Sequence, residues 1–209
     1  IDHLCELGVS VVQFDEPVLT EVIFSHHQTR SFMCAALSEK QDFAAELQFA
    51  KSLITQIFEY ARNKNIKTAL HVCRGNWSKD ESVLLRGPYT SLVDLFESAL
   101  PDILMLEFST PRAGELSSLL ESEILRQKCI LGLGVINPRS DEVETVDQIV
   151  QRAEKALNYL PPEQIWLNPD CGFATFSNRP LNGFDIIEAK LKVLNEAKSI
   201  LRERYVSRT

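Results

Sequence analysis

The sequence predicts an α/β protein built on a parallel sheet. Two observations carry that expectation. Five short apolar runs recur along the 209 residues, each near-continuously hydrophobic rather than alternating, as strands covered on both faces are. Between them lie longer stretches with apolar residues three, four and seven apart, the pattern of amphipathic helices. Strand and helix therefore alternate, and βαβ order implies parallel pairing with helices outside.

The elements follow in order. IDHLCELG reads as the end of a helix running into a first strand, Val9 to Phe14, which stops at Asp15-Glu16-Pro17. Phe43, Leu47, Leu53-Ile54, Ile57-Phe58 and Ala61 mark a long helix. The second strand is Lys67 to Cys73. A helix over Ser91 to Leu100 leads to a third strand, Asp102 to Phe108, and one over Gly114 to Arg126 leads to a fourth, Cys129 to Ile136. Val146, Ile149, Ala153, Ala156-Leu157 and Leu160 make the next helical stripe. Gln164 to Asn168 is the fifth strand, and Phe184 to Tyr205 closes the chain as a long helix. Two architectures fit: an open doubly wound sheet, or a (β/α)8 barrel, which takes about 250 residues. Five βα units fall short of a closed barrel. On the barrel reading about three N-terminal strands are missing from this chain, which starts at Ile1. An incomplete barrel would also expose the edge at Val9 to Phe14 and invite self-association.

Composition excludes several classes. With 44% hydrophobic and 24% charged residues and a formal net charge of -7, the chain lacks the basic footprint of a nucleic-acid binder. No apolar run reaches the roughly 20 residues of a membrane span, and no secretory signal is visible. Five scattered cysteines, Cys5, Cys34, Cys73, Cys129 and Cys171, do not read as a disulfide framework, so a reducing, cytoplasmic setting is expected.

The chemistry-bearing residues gather at strand ends. Asp15 and Glu16 end the first strand, His71 and Cys73 the second, Glu107 the third, and Asn168-Pro169-Asp170-Cys171-Gly172 follows the fifth. In parallel α/β folds, ligands bind at the carboxyl ends of strands. Residues two apart on a strand share a face, so His71 and Cys73 can converge on one point. A carboxylate inside LMLEFS is costly to bury without a partner. One imidazole, two thiolates and one carboxylate are a tetrahedral zinc donor set. The bland alternative is a core histidine and small hydrophobic cysteines, the reading given to Cys5, Cys34 and Cys129. Gly132-Leu133-Gly134 lacks the third glycine of a dinucleotide loop and reads as close packing. His26-His27 reads as part of a solvated connection. Arg74, Arg112 and Arg139 follow strands and face either an anionic substrate or carboxylate partners.

The motifs QFDEP (Gln13–Pro17), LHVCRGN (Leu70–Asn76), LMLEFS (Leu104–Ser109) and LNPDCGF (Leu167–Phe173), in this order and spacing, resemble the C-terminal catalytic barrel of cobalamin-independent methionine synthases. Arginine after the cysteine is similar to the shorter single-domain members. The resemblance implies a (β/α)8 barrel, with residues 1–209 as a single domain, the C-terminal portion of that barrel. It implies catalytic Zn²⁺ on His71, Cys73, Glu107 and Cys171, and Asp15 gripping the substrate amino group. The implied reaction is methyl transfer from 5-methyltetrahydrofolate, usually polyglutamylated, to homocysteine. A related zinc alkyltransferase with another donor or thiol, or a non-catalytic zinc-binding fragment, are the alternatives. Arg139 stands where long members carry a proton-donating histidine, so that role is not transferred. Zinc with two thiolates, a carboxylate and a neutral imidazole carries a net -1, and a substrate thiolate makes it -2. Glu107, the hard ligand, is then expected to yield.

Overall fold

The computed structural model describes residues 1–24 and 42–206. His26-His27 and Cys34 lie outside them. Five strands, β1 (Val11–Glu16), β2 (Lys67–Val72), β3 (Ile103–Glu107), β4 (Ile130–Ile136) and β5 (Ile165–Pro169), form one sheet in sequential order. Every neighbouring pair is parallel. The order never reverses, so the sheet has no switch point and the doubly wound alternative falls. The fold is of (β/α) barrel type, and among the described residues the barrel is not closed: β1 and β5 each have one strand neighbour.

The ladder sorts residues into two faces. Phe14, Leu70, Leu104, Leu131 and Ile165 form one row across the sheet, and Glu16, Val72, Leu106, Leu133 and Leu167 the next. These rows point outward into the main core, where they meet the helices. The opposite, inner face carries the row Asp15, His71, Met105, Gly132 and Trp166. At the sheet's flanks this face is open: Val11 and Trp166 are exposed. The apolar runs predict strands covered on both sides; here the outer side is buried on the central strands and half-buried on β1 and β5, while the inner side is open at those flanks.

The helices are α1 (Asp2–Glu6), α2 (Leu19–Phe24), α3 (Phe43–Arg62), α4 (Val93–Ala99), α5 (Ser117–Leu120), α6 (Glu123–Lys128), α7 (Val146–Leu157) and α8 (Phe184–Tyr205). Asp42 caps α3, and a reciprocal Thr145–Gln148 capping box starts α7. On α3, Leu47, Ile54, Phe58 and Ala61 face the core, while Leu53 and Ile57 fall on a neighbouring exposed stripe with Phe49 and Tyr60. One expected helix over Gly114 to Arg126 is two, because Ser122 takes an extended conformation and caps the second through Leu125 N. A short hairpin, β6 (Ala174–Phe176) and β7 (Arg179–Pro180), follows the fifth strand. Among the described residues no helix is long and apolar enough to cross a membrane.

Candidate metal centre

The carboxyl ends of β2 and β5 bring three side chains together. Donor atoms of His71, Cys73 and Cys171 all lie within 4.8 Å of one another. His71 Nε2 is 3.2 Å from Cys171 Sγ, and the two sulfurs are 3.3 Å apart. A tetrahedral zinc, with bonds of about 2.3 Å to sulfur and about 2.0 Å to nitrogen, spaces its donors by roughly 3.5–3.8 Å. Those two spacings are within about half an ångström of that edge length, so the chemistry and placement of these donors fit the ion.

The supports of each donor are local. His71 Nδ1 lies 2.8 Å from the Met105 carbonyl on β3 and donates to it, so Nε2 is the ring nitrogen turned to the sulfurs. Gly75 turns back through φ +101° and gives its amide to Cys73 Sγ at 3.2 Å. A Cβ there would collide with the Trp77 ring, so the turn favours glycine. Cys171 sits in a loop tied to the β2 loop: Asn76 Nδ2 donates to Gly172 O, and Thr175 Oγ1 to Asn76 O.

The electrostatics favour a thiolate. The hydrogen bond from Cys171, with the His71 imidazole beside it, pulls the Cys73 thiol down to about 6 against burial and the Glu107 charge. Burial pushes the His71 imidazole down, but Cys73, the Met105 carbonyl and Glu107 outweigh it and raise it to about 9. The Cys171 thiol is raised, first by its bond to Cys73 and then by burial. A thiolate at neutral pH is the form a metal takes up.

Glu107, the fourth expected ligand, stands beside the cluster rather than inside it. Its Oε1 is 3.5 Å from Cys171 Sγ and accepts the Arg74 amide at 2.8 Å. Its Oε2 is held by Arg112 Nη2 at 2.6 Å. Asp15 lies next to His71 across the ladder, exposed on the inner face, and accepts from Gln13 Nε2 at 2.7 Å. Glu16 is architectural, accepting from Val18 N at the start of α2.

The three arginines do not line an open anion site. Arg139 is buried, with Asp170 at 2.8 Å, Glu81 at 3.2 Å and Glu107 at 3.8 Å. Those carboxylates raise the guanidinium pKa despite burial, so it holds its proton and is no stand-in for a proton-donating histidine. Arg74 lies over the Tyr89 ring, 3.6 Å from its centre, and donates to Gly87 O.

Sequence reasoning missed the residues behind the donors. Asp170 accepts from the Phe108 and Ser109 amides and from the Ser109 hydroxyl. Its carboxylate lies where a Cβ on Gly134 would be, which is the close packing expected of Gly132-Leu133-Gly134. Lys190, wholly buried on α8, holds the β4–α7 loop through Glu144 and the Asn137 and Glu142 carbonyls. Asp170 was within the quoted LNPDCGF motif; Glu81 and Lys190 carried no local signal.

Residues 1–182 match the model of the catalytic domain of the cobalamin-independent synthases. The chain belongs to that family. It is 26% identical over 208 residues to a methionine synthase of Saccharolobus solfataricus, covering 97% of this chain and 48% of that one. It is 30% identical over 172 residues to a methionine synthase of Sulfolobus acidocaldarius, covering 82% and 39%. A 74-residue stretch is 42% identical to a 5-methyltetrahydropteroyltriglutamate–homocysteine methyltransferase of Herpetosiphon aurantiacus, covering 35% and 9%. The chain thus spans about half the length, or less, of the curated relatives it matches. A solved B12-independent methionine synthase from Shewanella sp. W3-18-1, in complex with selenomethionine, shares the fold of this family member: TM-score 0.66, 19% identity, 97% of this chain and 51% of the other.

Proposed function

We propose that this synthase-family chain works as a zinc-dependent thiol methyltransferase, moving a methyl group from a polyglutamylated 5-methyltetrahydrofolate to homocysteine to give methionine. The observation that carries the reading is the cluster of His71, Cys73 and Cys171 at the carboxyl ends of parallel strands. The names of the relatives, methionine synthase and homocysteine methyltransferase, support the same reaction.

The chain's residues divide the work. His71, Cys73 and Cys171 hold the ion, with Glu107 as the adjoining oxygen donor. Zinc supplies one thing, a lowered pKa for a substrate thiol that is otherwise mostly protonated at pH 7. Asp15 neighbours His71 on the inner face, where its carboxylate can orient a substrate ammonium by a charge-assisted hydrogen bond. The buried arginines pair with Glu107 and Asp170 and fix their positions, so the donors are placed before substrate arrives.

The test has two arms. Purified chain should carry one zinc, measured by elemental analysis. It should also convert homocysteine to methionine with methyl-folate as donor. Zinc without turnover on any methyl-folate would reject the reaction; no zinc and no affinity for it would reject the site.

A further inference from the structure

Glu107 presents its two oxygens to opposite neighbours. Oε1 faces Cys171 Sγ at 3.5 Å and the Arg74 amide at 2.8 Å. Oε2 faces Arg112 Nη2 at 2.6 Å, with Arg139 Nη1 further off at 3.8 Å. Arg112 cannot swing away easily. It is buried, its Nη1 donates to the Arg74 and Leu85 carbonyls at 3.1 and 3.4 Å, and its Nε is 3.7 Å from Glu81.

We propose that Arg112 is a positioning residue that keeps Glu107 a weak, exchangeable donor to the metal cluster, so that an incoming thiol replaces this oxygen and spares the two cysteines. The inference rests on the zinc reading above and adds the device that chooses which ligand gives way. Three physical effects act together. A charge-assisted bond at 2.6 Å draws negative charge from the carboxylate and weakens its other oxygen as a donor. The guanidinium fork pins Oε2, so Glu107 offers the cluster one oxygen only. The arginine charge also offsets the surplus negative charge that two thiolates, a carboxylate and a substrate thiolate would build around a divalent ion. Removing Arg112 reverses all three, and each reversal makes thiol uptake harder.

Stapling the loops after β2 and β3 is the competing role for Arg112, since it also binds two carbonyls. A staple would change stability and metal retention without changing which donor is exchanged. The two are separated with the full chain loaded with Co²⁺, whose thiolate charge-transfer absorption counts bound sulfurs, during titration with 2-mercaptoethanol. X-ray absorption supplies the oxygen count. The wild-type chain should gain one sulfur and lose one oxygen. Arg112→Met should keep one Co²⁺ per chain and need at least tenfold more thiol for the same change. Arg112→Lys, which keeps the charge without the fork, should fall between. An Arg112→Met chain that titrates like wild type, or that loses its metal, overturns the proposal. If Arg112→Met does not fold, Arg112→Lys decides: a raised thiol requirement supports the proposal and a wild-type titration overturns it. A wild-type chain that takes up no Co²⁺ defeats the zinc reading itself, whatever the variants do.

Discussion

Two neighbouring groups at the carboxyl ends of the strands are built on opposite principles. The donor cluster, His71, Cys73 and Cys171, is only partly buried, and its members meet through soft contacts of 3.2 and 3.3 Å rather than through ion pairs. The ion network behind it, Glu107, Arg112, Arg139 and Asp170, is almost wholly buried and joined by ion pairs of 2.6 to 3.8 Å. Burying a charge is costly unless it is paired, so the network holds only while every member is present. The cluster pays no such cost when one donor goes. The difference separates scaffold from proposed site: paired charges hold the loops, soft donors are left for the proposed ion, and Glu107 touches both groups.

The sharpest way to break the comparison is to remove one member of each group. Arg139→Met strips buried Asp170 of its ion-pair partner and Glu81 of the nearer of its two arginines. Breaking a buried pair from one side costs about 3–5 kcal/mol. For a chain of this size that lowers the melting temperature by roughly 10 °C. Cys171→Ala, by contrast, should shift the melting temperature of the metal-free chain by no more than about 2 °C, since a half-buried thiol contributes little. Differential scanning calorimetry on both variants checks the contrast; equal shifts would erase the distinction between scaffold and site.

Metal content reverses the ranking. Cys171→Ser exchanges a thiolate for a hydroxyl that stays protonated at neutral pH, and bound zinc should fall from one per chain to near zero with the circular dichroism spectrum unchanged. Glu107 cannot make up the loss, because Arg112 holds its second oxygen. Retention of a full zinc by Cys171→Ser would move the ion elsewhere.

How much of this was legible in sequence follows from how local each feature is. The strands were readable because apolar runs and β-branched residues specify them within a few positions, and all five appear within two residues of expectation at either end. His71 and Cys73 were readable because a period of two fixes their shared face. Placing Cys171 against them needed the loop after β5 to be carried across to β2, a separation of 98 residues in sequence; strand-end placement in a parallel sheet suggested it, and the resemblance implied it residue by residue. The ion network was illegible for the same reason. Arg139 pairs with Asp170 and Glu81 across three different loops, and no periodicity encodes a contact between loops. The open inner face was misjudged because a run such as VSVVQF reads as buried whether or not a neighbour covers its second side. The break between α5 and α6 was missed because Ser122 is tolerated within a helix as well as at its cap.

A third prediction separates substrate binding from metal binding within the inner-face row. Asp15→Asn removes the charge that would hold a substrate ammonium, one ladder position from His71. Hydrogen bonds to charged groups contribute about 1.5–3 kcal/mol, so KM for homocysteine should rise roughly 10- to 100-fold. Zinc content and melting temperature should not move, since Asp15 is exposed and outside the cluster. Loss of zinc in this variant would make Asp15 part of the metal site instead.

The smallest effect concerns a cysteine outside both groups. Cys129 is buried at the start of β4, donates to the Pro101 carbonyl at 3.0 Å, and has its thiol pushed up to about 12 by burial, with Asp102 adding to it. The unfolded thiol titrates near pH 8.5. Between these two values the unfolded chain has lost a proton that the folded chain keeps, so folding stability contributed by this group is intact below about pH 8.5 and declines as pH rises toward 12. At pH 10 the loss is about 2 kcal/mol. Cys129→Val has no proton to lose. Urea unfolding of the two chains at pH 7.5 and pH 10 should show wild type losing about 2 kcal/mol more than the variant. Other alkaline groups, tyrosines and lysines, cancel in that difference because both chains carry them. Equal losses in the two chains would mean that the Cys129 thiol reaches solvent and ionises as freely folded as unfolded. That would make the amino end of β4 as open as the donor cluster at the opposite, carboxyl edge of the sheet.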